Sequence, residues 1–303
     1  MKTLKNVFEQ VVDYDNLYRA YLNARLCKRY RYEVLNFSAH LEDNLVKLQK
    51  ELIERTYTLG KYREFYIYEP KKRLIMAQPF KDRVVQWAIY QVLNPVFAQG
   101  YITDSYACIK ERGTHKAVKR LHYWLRQVGK KPEKYYFLKL DISKYFYRID
   151  HDVLMGILKR KIRDDDMIFL LDKIVNSSET NFGLPPGKSP GEVKRSDRVS
   201  EKGMPVGNLS SQMFANLYLN ELDQYCKRTL GIHFYVRYMD DVIILHQDKD
   251  QLHEWKRIID TFLKEKLQLD LNEKTCIRPI TLGVEFCGYK IWNTHIKLRK
   301  STA

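Results

Sequence analysis

Apolar and charged positions recur at helical spacing from residue 13 to residue 57, most plainly in HLEDNLVKLQKELIERTY, where Leu41, Leu45, Leu48 and Leu52 share one face. The pattern predicts amphipathic helix packed on the body of the protein. YREFYIYEPKKRLIMAQPF predicts two short strands around a turn at Glu69-Pro70, with Lys71, Lys72 and Arg73 at a basic tip that faces the cleft. KDRVVQWAIYQVLNPVFAQG reads as a helix ending near Asn94-Pro95, and THKAVKRLHYWLRQV as another.

In YYFLKLDISKYFYRID the period changes, and Tyr136, Phe137, Leu138 and Leu140 form a strand that stops at Asp141. A helix around Val153 to Lys161 follows. SSETNFGLPPGKSPGEVKRSDRVSEKG, rich in Gly, Pro, Ser and charge, predicts a mobile surface insertion or a linker within the domain. GMPVGNLSSQMFANLYLNELDQYCKRTL is a Gly-bounded turn running into a helix, and HFYVRYMDDVIILH is a hairpin with an acidic pair near its turn. QLHEWKRIIDTFLKEKLQLDL supplies another amphipathic helix, and NEKTCIRPI and GVEFCGYKIW supply short strands. Helices alternating with mostly short strands predict an α+β fold, with helices packed on one side of a small antiparallel sheet.

The acids turn this outline toward chemistry. Asp240 and Asp241 lie between Val236 and Tyr238 on one side and Val242, Ile243 and Ile244 on the other, so their turn belongs to the core sheet, a costly place for idle charge. Asp141, far earlier in the chain, also ends a strand. Three clustered carboxylates repel one another unless a cation joins them. Hard, oxygen-seeking Mg²⁺ fits, and two such ions about 3.5–4 Å apart can hold the attacking and leaving oxygens of an in-line phosphoryl displacement. Asp141 and Asp240 are then expected as bridging or terminal ligands, Asp241 as the third acid, and the Ile142 carbonyl as an extra ligand.

Net charge points the same way. The 303 residues carry 53 Lys and Arg against 37 Asp and Glu, a formal charge of +16, spread along the whole chain. A polyanion is the expected partner, and nucleic acid is favoured over membrane because the sequence shows no long apolar span, signal peptide or lipidation motif. The five cysteines form no CxxC pair and the eight His no HExxH cluster, which argues for reduced thiols in the cytoplasm and against a zinc site.

LKLDISKYF, GMPVGNLSSQ, YVRYMDD, LNEKT and VEFCGYKI occur in the order of the palm motifs of reverse transcriptases, and EPKKRLIMAQPFKDRVVQWAI resembles the fingers segment of the bacterial branch. The likeness covers residues 30 to 295. Within that branch the chain is most similar to the enzymes of diversity-generating retroelements, on GMPVGNLSSQMFANLYLNELD and THIKLRKST; those enzymes copy a template RNA with errors concentrated at adenines. Group II intron maturases typically carry glutamine where this chain has Val206, and retron enzymes are a further alternative. The resemblance implies a right-hand polymerase fold: an N-terminal helical region over 1–57, fingers over 58–135, and a palm over 136–295. Within that palm it implies an inserted loop at 177–202 and a primer-grip hairpin near 283–291. It also implies the start of a short or truncated thumb at 296–303, with an accessory protein or structured RNA completing the grip on the duplex.

The same resemblance assigns roles. Phe146 matches the aromatic steric gate beneath the sugar of the incoming deoxynucleoside triphosphate, whose triphosphate Lys72, Arg73 and Arg83 would hold. Val206, Gly207 and Gln212 would line the nucleotide site, and Gly203, Pro205 and Asn208 the template and primer path. Lys274 would sit by the leaving pyrophosphate, and Phe286, Cys287, Gly288 and Tyr289 would form the primer grip. The implied activity is RNA-directed DNA synthesis from an RNA template and a DNA or cDNA primer with two Mg²⁺ ions; the alternative from another class is a catalytically silent RNA-binding scaffold.

Overall fold

The computed structural model describes residues 3–68, 73–177, 179, 181–185, 187–189 and 192–299, and the backbone but not the side chain of Arg73. Its elements run α1 (Val7–Val12), α2 (Tyr14–Ala24), α3 (Tyr32–Ala39), α4 (Leu41–Ile53), β1 (Arg63–Ile67), β2 (Arg73–Ala77), α5 (Phe80–Gln99), α6 (Thr114–Val128), β3 (Tyr136–Asp141) and α7 (Tyr145–Arg148). Then come α8 (His151–Lys161), α9 (Asp165–Val175), α10 (Leu209–Gln224), β4 (Tyr235–Tyr238), β5 (Asp241–His246), α11 (Lys249–Leu267), β6 (Cys276–Pro279), β7 (Val284–Phe286), β8 (Tyr289–Ile291) and β9 (Ile296–Leu298). The chain divides into two compact units, Met1–Gly100 with Phe146–Phe214, and Tyr101–Tyr145 with Ala215–Ala303.

In the first unit the amphipathic stretch forms several helices, because capping groups interrupt it. Asp13 accepts from Asn16 N at 3.0 Å and opens α2. Asp164 serves two helix starts at once: Oδ1 accepts from Met167 N of α9 at 3.0 Å, and Oδ2 from Val7 N and Phe8 N of α1 at 2.7 and 2.9 Å. On α4, Leu45, Leu48 and Leu52 are buried as the periodicity requires, whereas Leu41 stays partly exposed in the first turn.

Helix α5 runs five residues past the predicted stop near Asn94-Pro95, to Gln99, with Pro95 inside it. Proline forfeits one hydrogen bond; burial of Leu93 and Phe97 on either side of it holds the last turn in place. β1 and β2 pair antiparallel, from Arg63 opposite Ala77 to Ile67 opposite Arg73. The expected turn at Glu69-Pro70 and the tip residues Lys71 and Lys72 lie outside the described residues.

The Gly- and Pro-rich insertion is anchored where it is described. Phe182 is wholly buried with Tyr62, Leu74 and Met76, its ring stacking on Tyr147 at 4.4 Å. Arg198 grips Glu64 of β1 through two bonds of 2.8 and 2.9 Å. Composition predicts a mobile surface insertion or a linker within the domain; at Phe182 and Arg198 one aromatic and one bidentate ion pair tie the segment to the first unit.

The second unit is built on a four-stranded antiparallel sheet of order β4-β5-β3-β6. Phe137, Val236, Ile243 and Leu245 occupy one face and pack against α6 and the small β7-β8-β9 sheet. Strand alternation sends Leu138, Leu140, Val242 and Ile244 to the other face, where all are fully buried and α11 lies against the sheet. The α+β class is as expected, but the sheet is covered on both faces rather than one. The free edge of β4 is closed by Asp104–Tyr106, since Arg237 N donates to Asp104 O and Tyr106 N to Arg237 O.

Candidate active site

Sheet register brings the acids together. β3 and β5 pair so that Asp141 stands opposite Asp241, and β4 and β5 pair so that Tyr238 stands opposite Asp241. Residues directly opposite in an antiparallel pair point to the same face, so Asp141 and Asp241 are lateral neighbours. Met239 and Asp240 form the two-residue loop of the β4-β5 hairpin, with Met239 at φ 55°. A non-glycine residue there is strained and persists only where its surroundings impose it.

Arg237 provides that imposition. Its side chain is fully buried, and Nε and Nη2 donate to Asp223 Oδ1 and Oδ2 at 2.7 and 2.6 Å. Nη1 donates to the Met239 carbonyl at 3.0 Å, and Tyr235 OH adds a bond to Asp223 Oδ1 at 2.7 Å. Burial alone would lower the Arg237 pKa; the Asp223 carboxylate more than offsets it and keeps the guanidinium charged. The acidic turn thus rests on a buried, fully bonded ion pair.

The three acids themselves are half-buried. Burial pushes the Asp241 carboxyl up to about 6; Lys139 opposes the shift, and Asp240 and Asp141 add to it. Lys139 Nζ lies 3.3 Å from Asp241 Oδ1 and donates to the Glu285 carbonyl at 2.9 Å, joining β3 to β7. That Oδ1 is nonetheless buried and accepts no well-aligned hydrogen bond.

The segment Asp270–Thr275 clasps the end of β3. Asn272 N donates to Asp141 O at 2.7 Å, Ser143 N to Asp270 O at 2.9 Å, and Asp141 N to Thr275 Oγ1 at 3.3 Å. Those bonds flank the Ile142–Leu271 bridge, so the Ile142 carbonyl points away from Leu271. Lys274 is exposed on the same clasp, whose neighbouring backbone bonds to Asp141.

A hard divalent cation suits these donors: paired carboxylates, a buried oxygen without a hydrogen bond, and an acid whose ionised form lacks sufficient positive charge nearby. As placed, no three His, Cys, Asp or Glu side chains among the described residues converge on one metal position. The fit therefore rests on donor chemistry and backbone register.

The other residues singled out in the sequence fall into two groups. In the first unit Phe146 and Val206 pack against one cluster of Tyr62, Leu74, Met76 and Phe182. The GMPVGN loop is pinned there: Met204 N donates to Phe146 O and Gly203 N to Ile149 O, each at 2.7 Å. Gly203 has φ 89°, and a Cβ would come within 2.7 Å of the Gly183 backbone, so a side chain is excluded. Pro205 is buried beside it, and Asn208 Nδ2 donates to Tyr62 OH at 3.4 Å. Gly207, Asn208, Gln212 and Arg83 line one cavity of about 330 Å³; Arg83 is also ion-paired with Glu33. Lys72 lies outside the described residues, and only the backbone of Arg73 is placed, at the start of β2.

In the second unit Cys287 and Gly288 form the two-residue β7-β8 turn, at φ 51° and 82°. Both being left-handed marks the tight hairpin that matches strand twist. Phe286 is in the core, Tyr289 packs on it from the margin, and burial raises the Cys287 thiol pKa.

The family model for reverse transcriptase (RNA-dependent DNA polymerase) matches residues 68–291. The chain belongs to this reverse transcriptase family. It is similar to protein YkfC of Escherichia coli, 26% identical with 84% of this chain and 72% of that protein covered. It is also similar to the group II intron-encoded protein LtrA of Lactococcus lactis, 23% identical with 82% of this chain and 50% of that protein covered. A telomerase structure from Candida albicans, in complex with a TWJ fragment of telomeric RNA, shares the fold, with TM-score 0.54 and 15% identity over 86% of this chain and 49% of that one. The chain thus spans about half the length of the intron-encoded and telomerase proteins. In this reverse transcriptase-family chain, no helix among the described residues is long and apolar enough to cross a membrane.

Sequence reasoning missed Arg237, Asp223 and Lys139. The signal was present for two of them: Arg237 and Lys139 are cations in strands whose neighbours are apolar, in YVRYMDD and LKLD. Asp223, inside a helix rich in polar residues, offered none.

Proposed function

We propose that the chain is an RNA-directed DNA polymerase that extends a primer on an RNA template. The observation carrying this reading is the register that sets Asp141 opposite Asp241 beside the Met239-Asp240 turn, in a chain of the reverse transcriptase family. Asp141, Asp240 and Asp241 would hold Mg²⁺, which when bound makes the primer 3′-hydroxyl more acidic and neutralises the departing pyrophosphate. The protein's own part is positional. Arg237 fixes the acidic turn through the Met239 carbonyl, and the Asp270–Thr275 clasp fixes the end of β3. Lys274 supplies a mobile positive charge for the leaving group, Phe146 walls off the 2′ position of the sugar, and the net charge of +16 draws the hybrid through its phosphates.

RNA-templated primer extension with Mg²⁺ and deoxynucleoside triphosphates tests the reading. Elongated cDNA is the expected result; RNA binding without extension would leave only a scaffold.

The relatives favour an intron-type or retron-like enzyme over one from a diversity-generating retroelement. The narrower retroelement reading rests on the resemblance of GMPVGNLSSQMFANLYLNELD and THIKLRKST, and its expected infidelity on Val206, an apolar side chain that supplies no hydrogen bond to discipline the template base. Sequencing cDNA made by the parent and by Val206→Gln decides between them. Adenine-directed errors that fall about tenfold in the variant, a difference of about 1.4 kcal/mol, support the retroelement reading; uniformly low errors in the parent discard it.

A further inference from the structure

Lys139 sets a positive charge beside the acids from within the core sheet. On β3, Leu138 and Leu140 are fully buried on one face, and Lys139 shares the other with Phe137 and Asp141, opposite the buried Ile243 of β5. Its side chain is only 20% exposed, and an ammonium there is costly unless negative groups answer it. Two do, unequally. Nζ stands astride Asp241, 3.3 Å from Oδ1 and 3.4 Å from Oδ2, and donates over a shorter 2.9 Å to the Glu285 carbonyl.

The shorter bond explains why the ammonium stays. Phe286 and Tyr289 close the two-residue β7-β8 turn, so Glu285 and Lys290 are the next pair, whose backbone groups point away from each other. The Glu285 carbonyl therefore faces out of its own sheet, and Lys139 is the donor that meets it. The turn lies against the same charges: the Cys287 thiol pKa, raised chiefly by burial, is raised further by Asp241 and lowered by Lys139. One amine thus joins an acid of the candidate metal site to the edge of a separate sheet.

The contacts to Asp241 are longer than the about 2.7–2.9 Å of a strong charge-assisted bond, and Asp241 Oδ1 accepts no well-aligned hydrogen bond. Lys139 offsets the charge of the carboxylate and leaves its lone pairs free. It therefore opposes a divalent cation that arrives alone and tolerates one that arrives with a triphosphate, whose negative charge cancels the conflict.

We propose that Lys139 is a positioning residue that competes with a divalent cation for Asp241: it neutralises this acid in the metal-free protein and yields it, withdrawing toward Glu285, when the cation enters. The inference rests on the reading that Asp241 is a metal ligand, and adds that the bare protein holds metal weakly by construction.

Mn²⁺, followed as the free ion by electron paramagnetic resonance at about pH 8 without nucleotide or nucleic acid, tests it on the full chain. Lys139→Met binds Mn²⁺ about tenfold more tightly than the parent, a difference of about 1.4 kcal/mol. Lys139→Arg keeps the charge and stays near the parent. In an Asp241→Asn background the methionine change gains much less, because the competition needs the carboxylate. Circular dichroism checks that the variants fold. A second readout needs no variant: in the parent, acetylation of Lys139 by acetic anhydride, measured by mass spectrometry against the exposed Lys134, speeds up when Mn²⁺ is added. Equal Mn²⁺ affinity in parent and Lys139→Met, an equal gain in both backgrounds, or a Lys139 acetylation rate indifferent to bound Mn²⁺ overturns the competition and leaves the metal site in place. Failure of the parent and every variant to bind Mn²⁺ removes the metal-site reading, and the competition with it.

Discussion

Like charge is gathered twice in this protein, in opposite ways. Around Asp240 and Asp241 the second unit invests a buried Arg237–Asp223 pair, a strained Met239 and a backbone clasp on Asp141, so carboxylates sit in fixed positions. Around Lys28–Tyr32 the first unit leaves Arg29, Tyr30, Arg31 and Tyr32 exposed and Lys28 half-buried, on a stretch shaped by local turns. Fixed geometry suits chemistry, where a small displacement of a reacting group is costly. Exposed charge suits a partner that slides, because its attraction needs no single geometry and is tuned by salt.

The comparison breaks first at Arg237. Arg237→Met leaves Asp223 charged and unpaired in the core and should cost about 3–5 kcal/mol of stability by urea unfolding, whereas Arg237→Met/Asp223→Leu recovers most of it. A single variant within about 1 kcal/mol of the parent would show that the strut does not hold the turn.

A smaller effect of opposite sign belongs to Asp241. Its native pKa near 6 exceeds the unfolded value near 3.8, so the native state binds the additional proton between those limits and stability falls as pH rises from about 4 to about 6. In EDTA, Asp241→Asn should therefore unfold at higher urea than the parent at pH 8, by up to about 3 kcal/mol, with the gap closing toward pH 4. A gap that does not change with pH would mean the carboxylate is not strained by its surroundings.

Smaller again is the change at Phe146, which shares a cluster with Val206. Removing the ring should raise rGTP incorporation relative to dGTP about tenfold, with a modest stability loss of about 1–3 kcal/mol for a partly buried aromatic. An unchanged ratio in single-nucleotide incorporation would return Phe146 to packing alone.

Much of this was legible in the sequence. Apolar runs around YMDD and before Asp141 marked two strands, but alternation fixes only which face each residue takes, and the register that sets Asp141 opposite Asp241 came from the structure. The anchoring of the 177–202 segment was not legible, since Phe182 and Arg198 find Tyr62 and Glu64 far away in the chain. Nor was Asp223, whose value appears only when Arg237 enters the core beside it. Phe286, which the resemblance assigns to a primer grip, has its ring in the core of the second unit.

The central claim is that the acids at the end of β3 and in the β4-β5 turn carry the polymerase chemistry, and Asp240→Asn tests it most directly. One preparation each of parent and variant is assayed for RNA-templated extension, RNA affinity by filter binding, and fold by circular dichroism. The account predicts extension lost by at least about a thousandfold, with affinity and spectrum retained, because the change removes charge and almost no volume. Near-normal extension by Asp240→Asn would contradict it.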